Sequence, residues 1–381
     1  MNAVAQSKRM TSGLSVSIGP APEPAAWDAL FASSAAPQHP HYTHHAVAAH
    51  REAGLLPGAF GFVTVHRSGD PVALLPFTLR RDLAGLGGRV AQPFLSPLVT
   101  ATAPLVIDGP ERAAAIQALV AGLEQASGGR AWRWPLLPTE DGAVPEMLAA
   151  MRARGWAIGT VTAFERPLMV RRADYDAFLA GHPNRSRFKD LRRRTRRLSE
   201  AGTVAHVGAA GGPELARLVA DFLALEQKGW KGQAGTAMAC RPDTAALARA
   251  LFAERPGPVG VRVDALTLDG RPIAISLALV GGGTATLLKT AYDEDLRGHA
   301  PGLLLEAEIV RACHETGFAD ILDSATLDGS ALESLYRERT RIAELIALPP
   351  GDRTLSLERR LRLARFEHAA RAAAKRALRR R

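Results

Sequence analysis

The chain has 381 residues, 47% hydrophobic and 23% charged; that length can bury two cores of ordinary domain size, and no run approaches the roughly 18 apolar residues of a membrane span. Of the formal net charge of +10, the last 29 residues carry +9, with eleven basic residues against Glu358 and Glu367; the rest is nearly neutral, so the basic balance does not imply nucleic-acid binding by the body. Cys240 and Cys313 stand far apart and outside any C-x-x-C or metal-ligand spacing, which excludes a disulfide framework and fits a reducing cytoplasm.

In chain order, Met1 to Ser17 lacks a continuous apolar core, so no signal peptide is expected. Apolar spacing predicts a helix over 25–31. The run His39-Pro-His41-Tyr-Thr-His44-His45 has no acidic or Cys partner at ligand spacing and reads as a polar surface turn, with no metal. Alternating segments at 60–65 and 74–79 flank His66-Arg-Ser-Gly-Asp-Pro-Val-Ala73, a hairpin in which Gly supplies the positive φ and Pro begins the returning edge. A helix over 112–125 and strands over 156–161 and 164–170 follow. This half lacks a helix opened by a basic, glycine-containing turn directly after a strand, and reads as a non-catalytic partner.

In the second half, Phe188, Leu191, Thr195 and Leu198 fall on one face of a helix, with eight Arg or Lys on the rest and only Asp190 opposing them. A solvated face, a phosphate-bearing or acidic ligand, and RNA all fit that pattern. The stacking aromatics of single-strand binders are missing. A helix over 213–228 has Pro213 at its start and Gly229 as its stop, and Glu226 shares a line with Val219 and Leu223. Trp230 and Lys231 follow it. Thr267-Leu-Asp-Gly-Arg-Pro-Ile-Ala274 repeats the Gly-x-Pro-x-Ala of the first hairpin, which suggests two related domains.

Residues 284–292 alternate, placing Ala285, Leu287, Lys289 and Ala291 on one face and Thr284, Thr286, Leu288, Thr290 and Tyr292 on the other. From Pro301 the spacing becomes helical until Gly317. The free N–H groups of that first turn, beside Arg297 and His299, read either as an anion site or as an ordinary strand-turn-helix connection. An inward Lys289 requires a partner, for which Glu226, Asp323 and a bound phosphate are candidates.

Tyr292-Asp-Glu-Asp followed by Ala300-Pro-Gly-Leu-Leu-Leu305, together with the Arg-rich helix ending Leu198-Ser-Glu-Ala-Gly202, Leu225-Glu-Gln-Lys-Gly-Trp-Lys231 and Asp320-Ile-Leu-Asp323, resembles the GNAT-type acetyltransferases associated with cellulose biosynthesis, the CelD/BcsL family. Where that family carries Asp-Phe and a nearby Gly, this chain has Asp323-Ser324. The resemblance covers residues 170–345. It implies an α/β fold of tandem acyl-CoA N-acyltransferase (GNAT-like) domains, mixed sheets flanked by helices, spanning 1–168 and 169–350, with a basic tail at 351–381. It also implies acetyl-CoA or another acyl-CoA as substrate, with no metal, and a small-molecule, sugar or lipid-linked acceptor in exopolysaccharide or envelope metabolism.

On that reading the coenzyme contacts are Leu288, Thr290, Arg297, Gly298, His299, Gly302 and Leu303. Glu226 and Asp323 are the candidate bases, a half-buried carboxylate with a raised pKa being suited to deprotonating an amine. Tyr292 is the candidate proton donor to sulfur, Lys289 a charged neighbour, and Trp230 and Lys231 border the acceptor. Two rival readings are a Fem-like aminoacyl-tRNA-dependent transferase and a non-catalytic accessory protein; nucleic acid otherwise finds little support. In the tail, Leu357, Leu361, Ala364, His368 and Ala372 line one side of a helix capped by Ser356. It reads either as a solvated tail or as a basic amphipathic helix, over 355–381, on an anionic membrane, which would place a cytoplasmic protein at the inner membrane face.

Overall fold

The computed structural model describes residues 13–326, 331–352 and 354–379; the readings of Met1 to Ser12, Arg353, Arg380 and Arg381 lie outside them. The chain forms two compact units, the first from residues 1–36, 57–164 and 341–381, the second from 37–56 and 165–340. The segments expected from sequence, 1–168, 169–350 and 351–381, differ in two ways. Residues 37–56 join the second unit, and everything beyond 340 joins the first.

In chain order the elements are β1 (Leu14–Gly19), α1 (Pro24–Ala32), α2 (His44–Glu52), β2 (Phe60–Arg67), β3 (Asp70–Arg81), β4 (Arg89–Pro93), β5 (Leu105–Val106), α3 (Arg112–Ala126), β6 (Trp132–Pro138), α4 (Val144–Ala153) and β7 (Ala157–Val170). They continue with α5 (Tyr175–Ala180), α6 (Arg185–Ser199), β8 (Val204–Ala209), α7 (Gly212–Lys228), α8 (Trp230–Gln233), α9 (Pro242–Leu251), β9 (Gly260–Leu268), β10 (Arg271–Gly281), β11 (Thr284–Tyr292), α10 (Pro301–Thr316), β12 (Ile321–Asp323), β13 (Glu338–Leu348) and α11 (Leu357–Arg379). The two strands expected between 156 and 170 are one continuous strand, and the strand expected over 318–323 is only three residues long.

The units repeat one topology. In the first, neighbouring strands run β1-β2-β3-β4-β6-β13, with β5 on β3; in the second, β8-β9-β10-β11-β12 and then the end of β7. In each, three hairpin-connected antiparallel strands lead to one parallel pair, β4 with β6 or β11 with β12. A helix, α3 or α10, lies between the members of that pair in sequence. The two Gly-x-Pro-x-Ala hairpins match in detail. Ser68 and Gly69, like Asp269 and Gly270, both have positive φ, the turn whose twist suits two-residue hairpins. Each register then slips at the residue after Pro, Val72 in one and Ile273 in the other.

In the second unit, α7 packs against β9, β10 and β11, and α10 against the same three strands. The α10 side holds Leu304, Leu305, Ile309, Val310 and Cys313 against Ala278, Ala285 and Leu287, and continues into Phe178, Phe188, Leu191 and Leu198. That is the apolar face expected of α6. Gly317, at φ +65°, closes α10 in the left-handed region that glycine reaches without steric cost.

Two sequence expectations are corrected here. The histidine run is no surface turn: His39, His41 and His45 are buried, because α2 packs on α9 and the His45 ring nitrogen Nε2 lies 2.7 Å from the Leu251 carbonyl. Among the described residues no group of three or more His, Cys, Asp or Glu is placed to hold a metal ion. The tail forms the expected helix, but its apolar face is occupied: Ala364, Leu357 and Leu361 pack on Val90, Val161, Ile346 and Leu348. Beneath it Arg133 is 5% exposed and binds Asp82 at 2.8 Å, Glu344 at 2.7 Å and Glu367 of α11 at 2.5 Å, while His368 Nε2 lies 2.8 Å from Glu344. Arg360 is similarly buried against Asp352. Among the described residues no helix is long and apolar enough to cross a membrane.

Candidate functional site

β12 pairs with β11 only as far as Thr286 opposite Asp323. Beyond that point no strand among the described residues pairs with this side of β11, which presents a free edge toward a cavity of about 480 Å³, within the range of small-molecule sites. Leu287, Leu288, Lys289, Thr290 and Tyr292 of β11 form one wall, Gly302, Leu303 and Glu306 of α10 another, and Ser324, Ala325 and Thr326 the floor beyond β12.

The alternation read from sequence fails inside β11. Ala278 of β10 pairs with Leu287, but Leu277 pairs with Lys289, so Leu288 is an extra residue, a β-bulge. A bulge exchanges the faces of everything after it. Lys289 therefore leaves the side of Ala285 and Leu287 and faces α7, where its Nζ lies 3.6 Å from Glu226 Oε1. Tyr292 turns toward α10, next to Gly302.

The turn between β11 and α10 is a 3-10 helix, Glu294–His299, held from three directions. Buried Asp293 accepts from Lys228 Nζ at 3.2 Å and from Arg271 Nη1 at 3.0 Å. Glu294 Oε1 accepts the Trp230 N–H at 2.9 Å. The Gly298 carbonyl accepts from Arg194 Nη1 of the Arg-rich helix at 2.8 Å. The turn ends at Ala300, a non-glycine residue at φ +55°, and no side chain caps α10. The Leu303 N–H is engaged by the Ala300 carbonyl at 2.9 Å, so of the first-turn donors expected to meet an anion Gly302 is the one left open. Arg297 is exposed, lines the cavity and makes no ion pair among the described residues.

The structure thus brings Leu288, Lys289, Thr290, Tyr292, Arg297, Gly302 and Leu303 to one cavity. Gly298 and His299 stand outside its lining. Glu226, Trp230 and Lys231 line a smaller neighbouring depression that shares Thr290 and Tyr292 with it, with Trp230 53% and Tyr292 40% exposed.

Of the two carboxylates chosen from sequence, Glu226 lacks the raised pKa expected of a base, and Asp323 stands outside the cavity lining. Burial alone would raise the Glu226 pKa, but the Met238 N–H at 2.8 Å, Lys231 at 2.9 Å and Lys289 outweigh it, and the carboxyl is held below its ordinary value. Its charge instead fixes the two lysines. Burial pushes the Lys289 ammonium down, with Glu226 opposing. Asp323 is buried, accepts the Ala325 N–H at 2.8 Å, sits 3.5 Å from Arg166, and does not line the cavity. Its carboxylate thus holds the backbone turn that leaves β12.

The group that sequence reasoning passed over is Glu306. It is 2% exposed yet lines the cavity, and the Tyr336 hydroxyl donates to its Oε1. Burial pushes its carboxyl up to about 7, with the Tyr336 hydrogen bond opposing and the Asp264 charge adding to the rise. A signal was present: Glu306, Val310 and Cys313 recur at i, i+4 and i+7, which sets a carboxylate on an apolar helical stripe.

Residues 185–324 match the family described as the acetyltransferase (GNAT) domain. No curated protein matches the sequence. Among solved structures, a conserved protein of unknown function from Bacteroides thetaiotaomicron superposes with a TM-score of 0.55 at 12% identity, covering 86% of this chain and 97% of its own. FemX superposes at 0.53 and 11% identity, over 85% of this chain and 95% of its own. A tandem GNAT protein from the clavulanic acid biosynthesis pathway gives 0.43 at 16% identity, over 88% and 100%. The chain therefore carries a GNAT-type domain in its second unit, within a GNAT-like fold of mixed sheets and flanking helices whose topology is repeated in tandem.

Proposed function

We propose that the second unit transfers an acyl group from acyl-CoA, acetyl-CoA in the simplest case, to an amine or hydroxyl of a small-molecule, sugar or lipid-linked acceptor. The observation that carries this reading is the joining of a free strand edge, an apolar cavity and an uncapped helix start beside an unpaired arginine. A phosphate gains the Gly302 N–H, the positive end of the α10 dipole and the Arg297 guanidinium together. An amide-bearing arm hydrogen-bonds the open edge of β11 as an added strand would. Bound acyl-CoA supplies the activated thioester carbonyl.

The remaining work falls to this chain's own groups. The bulge at Leu288 takes backbone out of the ladder at the cavity wall, which makes N–H donors available to a developing oxyanion. Lys289, fixed by Glu226, sets a positive charge on the same wall for the leaving thiolate. The exposed rings of Trp230 and Tyr292 beside the cavity suit an acceptor. A cytoplasmic site of action and a polysaccharide or envelope acceptor are supported by cysteine usage and sequence resemblance respectively. The outer face of α11, with Arg359, Arg362, Phe366 and Arg371 exposed, suits an anionic membrane surface although its inner face is docked.

Calorimetric titration with acetyl-CoA tests the core of the reading. One saturable site, weakened at least about tenfold by Arg297→Ala, is expected. No binding up to millimolar ligand overturns it, and steeply salt-dependent binding of tRNA in its place points to an aminoacyl-tRNA-dependent transferase.

A further inference from the structure

A carboxyl inside an apolar cavity requires a reason, because an unpaired buried charge is among the most costly features a fold can hold. Glu306 makes no ion pair among the described residues. The carboxylates around it differ: Glu226 has two lysines, Asp293 a lysine and an arginine, and Asp264 both Arg262 and His206. Among the described residues the one side-chain partner of Glu306 is the Tyr336 hydroxyl, itself 2% exposed and pushed well above the usual phenol range by burial and by Glu306.

We propose that Glu306 is the proton carrier of acyl transfer in this cavity, and that Tyr336 is the residue that positions it. The inference rests on the acyl-CoA reading. The acceptor nitrogen or oxygen bonds to the thioester carbon, and its proton passes to the Glu306 carboxylate. As the tetrahedral adduct collapses the carbon–sulfur bond breaks, its electron pair leaves on sulfur, and the same proton returns from Glu306 to the coenzyme thiolate. Atoms and charge balance, and Glu306 ends as it began. A group that must take and release one proton near neutrality works best with a pKa close to the working pH, which its burial provides.

The charged and titratable groups facing Glu306 are few. Tyr336 lies on the segment before β13, and Asp264 on β9 with its partners Arg262 of β9 and His206 of β8; Arg297 and Lys289 line the same cavity, the Lys289 ammonium turned toward Glu226. Tyr175 and Arg192, with Glu308 and Arg311 of α10 itself, line a separate groove on roughly the opposite flank of that helix. Tyr336 lowers the Glu306 pKa by hydrogen-bonding the ionised form, so Tyr336→Phe raises it.

The test uses the full chain, acetyl-CoA as ligand, and water and glucosamine as acceptor probes, across pH 5.5 to 8.5. Calorimetry in buffers of differing ionisation enthalpy reads binding and proton uptake; thiol release reads turnover. Glu306→Gln should bind acetyl-CoA within about threefold of wild type, lose the proton uptake that accompanies binding near neutrality, and release thiol at least about 100-fold more slowly. Tyr336→Phe should keep binding, release thiol more slowly than wild type below about pH 7, and show the acid limb of its pH profile moved to higher pH. Equal thiol release in wild type and Glu306→Gln, or equal proton uptake in both, overturns the role of Glu306. An unmoved limb in Tyr336→Phe overturns that of Tyr336. Failure of wild type to bind acetyl-CoA overturns instead the reading on which both rest.

Discussion

In the first unit, the helix between the parallel strands opens Asp108-Gly-Pro-Glu-Arg112; in the second, the equivalent opening is Arg297-Gly-His-Ala-Pro301. At the start of α3 the cation is already engaged, Arg112 with Asp108 and Glu146, and Glu111 with Arg67, whereas at α10 an arginine without an ion pair among the described residues stands beside an open N–H, which favours an anion. The strand floors differ as well. β6 carries Trp132 and Trp134, both fully buried, while the chain leaving β12 reads Ser324-Ala-Thr326 and leaves room for a cavity. Charged side chains are also used differently. Around Arg133 the first unit closes three carboxylates into a cluster that binds its own C-terminal helix, and the second leaves Arg297, Lys289 and Glu306 on a cavity wall. On the proposed reading, one topology serves as scaffold or as site according to a few side-chain volumes and the charge of one turn.

The sharpest way to break this contrast is Arg133→Ala. It removes the cation shared by Asp82, Glu344 and Glu367, and should lower stability by about 3–5 kcal/mol in urea unfolding, with the acetyl-CoA affinity of the folded protein unchanged. A parallel loss of affinity would refute the division of labour. Arg297→Ala should do the reverse, costing about 1.5–3 kcal/mol in binding and within about 0.5 kcal/mol in stability.

Glu226 and Glu306 sharpen the contrast through pH. The Glu226 carboxyl is held below its ordinary value of 4.5, so its contribution to stability is complete above that value and disappears as pH falls through the lower folded value. Glu226→Gln should cost about 1–3 kcal/mol at pH 7 and flatten the acid side of the stability curve. Glu306 has the opposite sign. Its folded pKa, about 7, lies above 4.5, so it weakens the fold progressively as pH rises between those values and fully above them. Glu306→Gln should therefore be neutral or stabilising at pH 8, as expected when a site is kept at the expense of stability. Smallest is Ala300→Gly. Relief of the left-handed conformation, about 1–2 kcal/mol, is offset by about 0.4–1 kcal/mol of unfolded-chain entropy, leaving a gain of about 0–1.6 kcal/mol, readable as a small rise in Tm.

Much of the site was legible where chemistry is local. Pro301 and Gly317 bracket α10, and Gly229 ends α7, at the positions their backbone preferences demand. Arg297 and Gly302 stand out because a turn and a helix start are defined by a dozen consecutive residues. Lys289 and Glu226 could be named as a pair, but the face on which they meet could not: it depends on a one-residue slip against β10, and register belongs to two strands at once.

Sequence alone determined the paired hairpins, the strand-turn-helix of 284–317, the amphipathic faces of α6 and α11, and the concentration of charge in the tail, since each follows from backbone preference or side-chain spacing within one segment. Tertiary structure decided the rest. It set the bulge at Leu288, the burial of His39, His41 and His45, the docking of α11 over Arg133, and the placement of Glu306, rather than Glu226 or Asp323, on the cavity wall. Each of those turns on which distant side chain displaces water from a polar group, and a carboxyl whose nearest partner lies 30 residues away carries no local mark of whether it will be ionised, paired or left holding a proton.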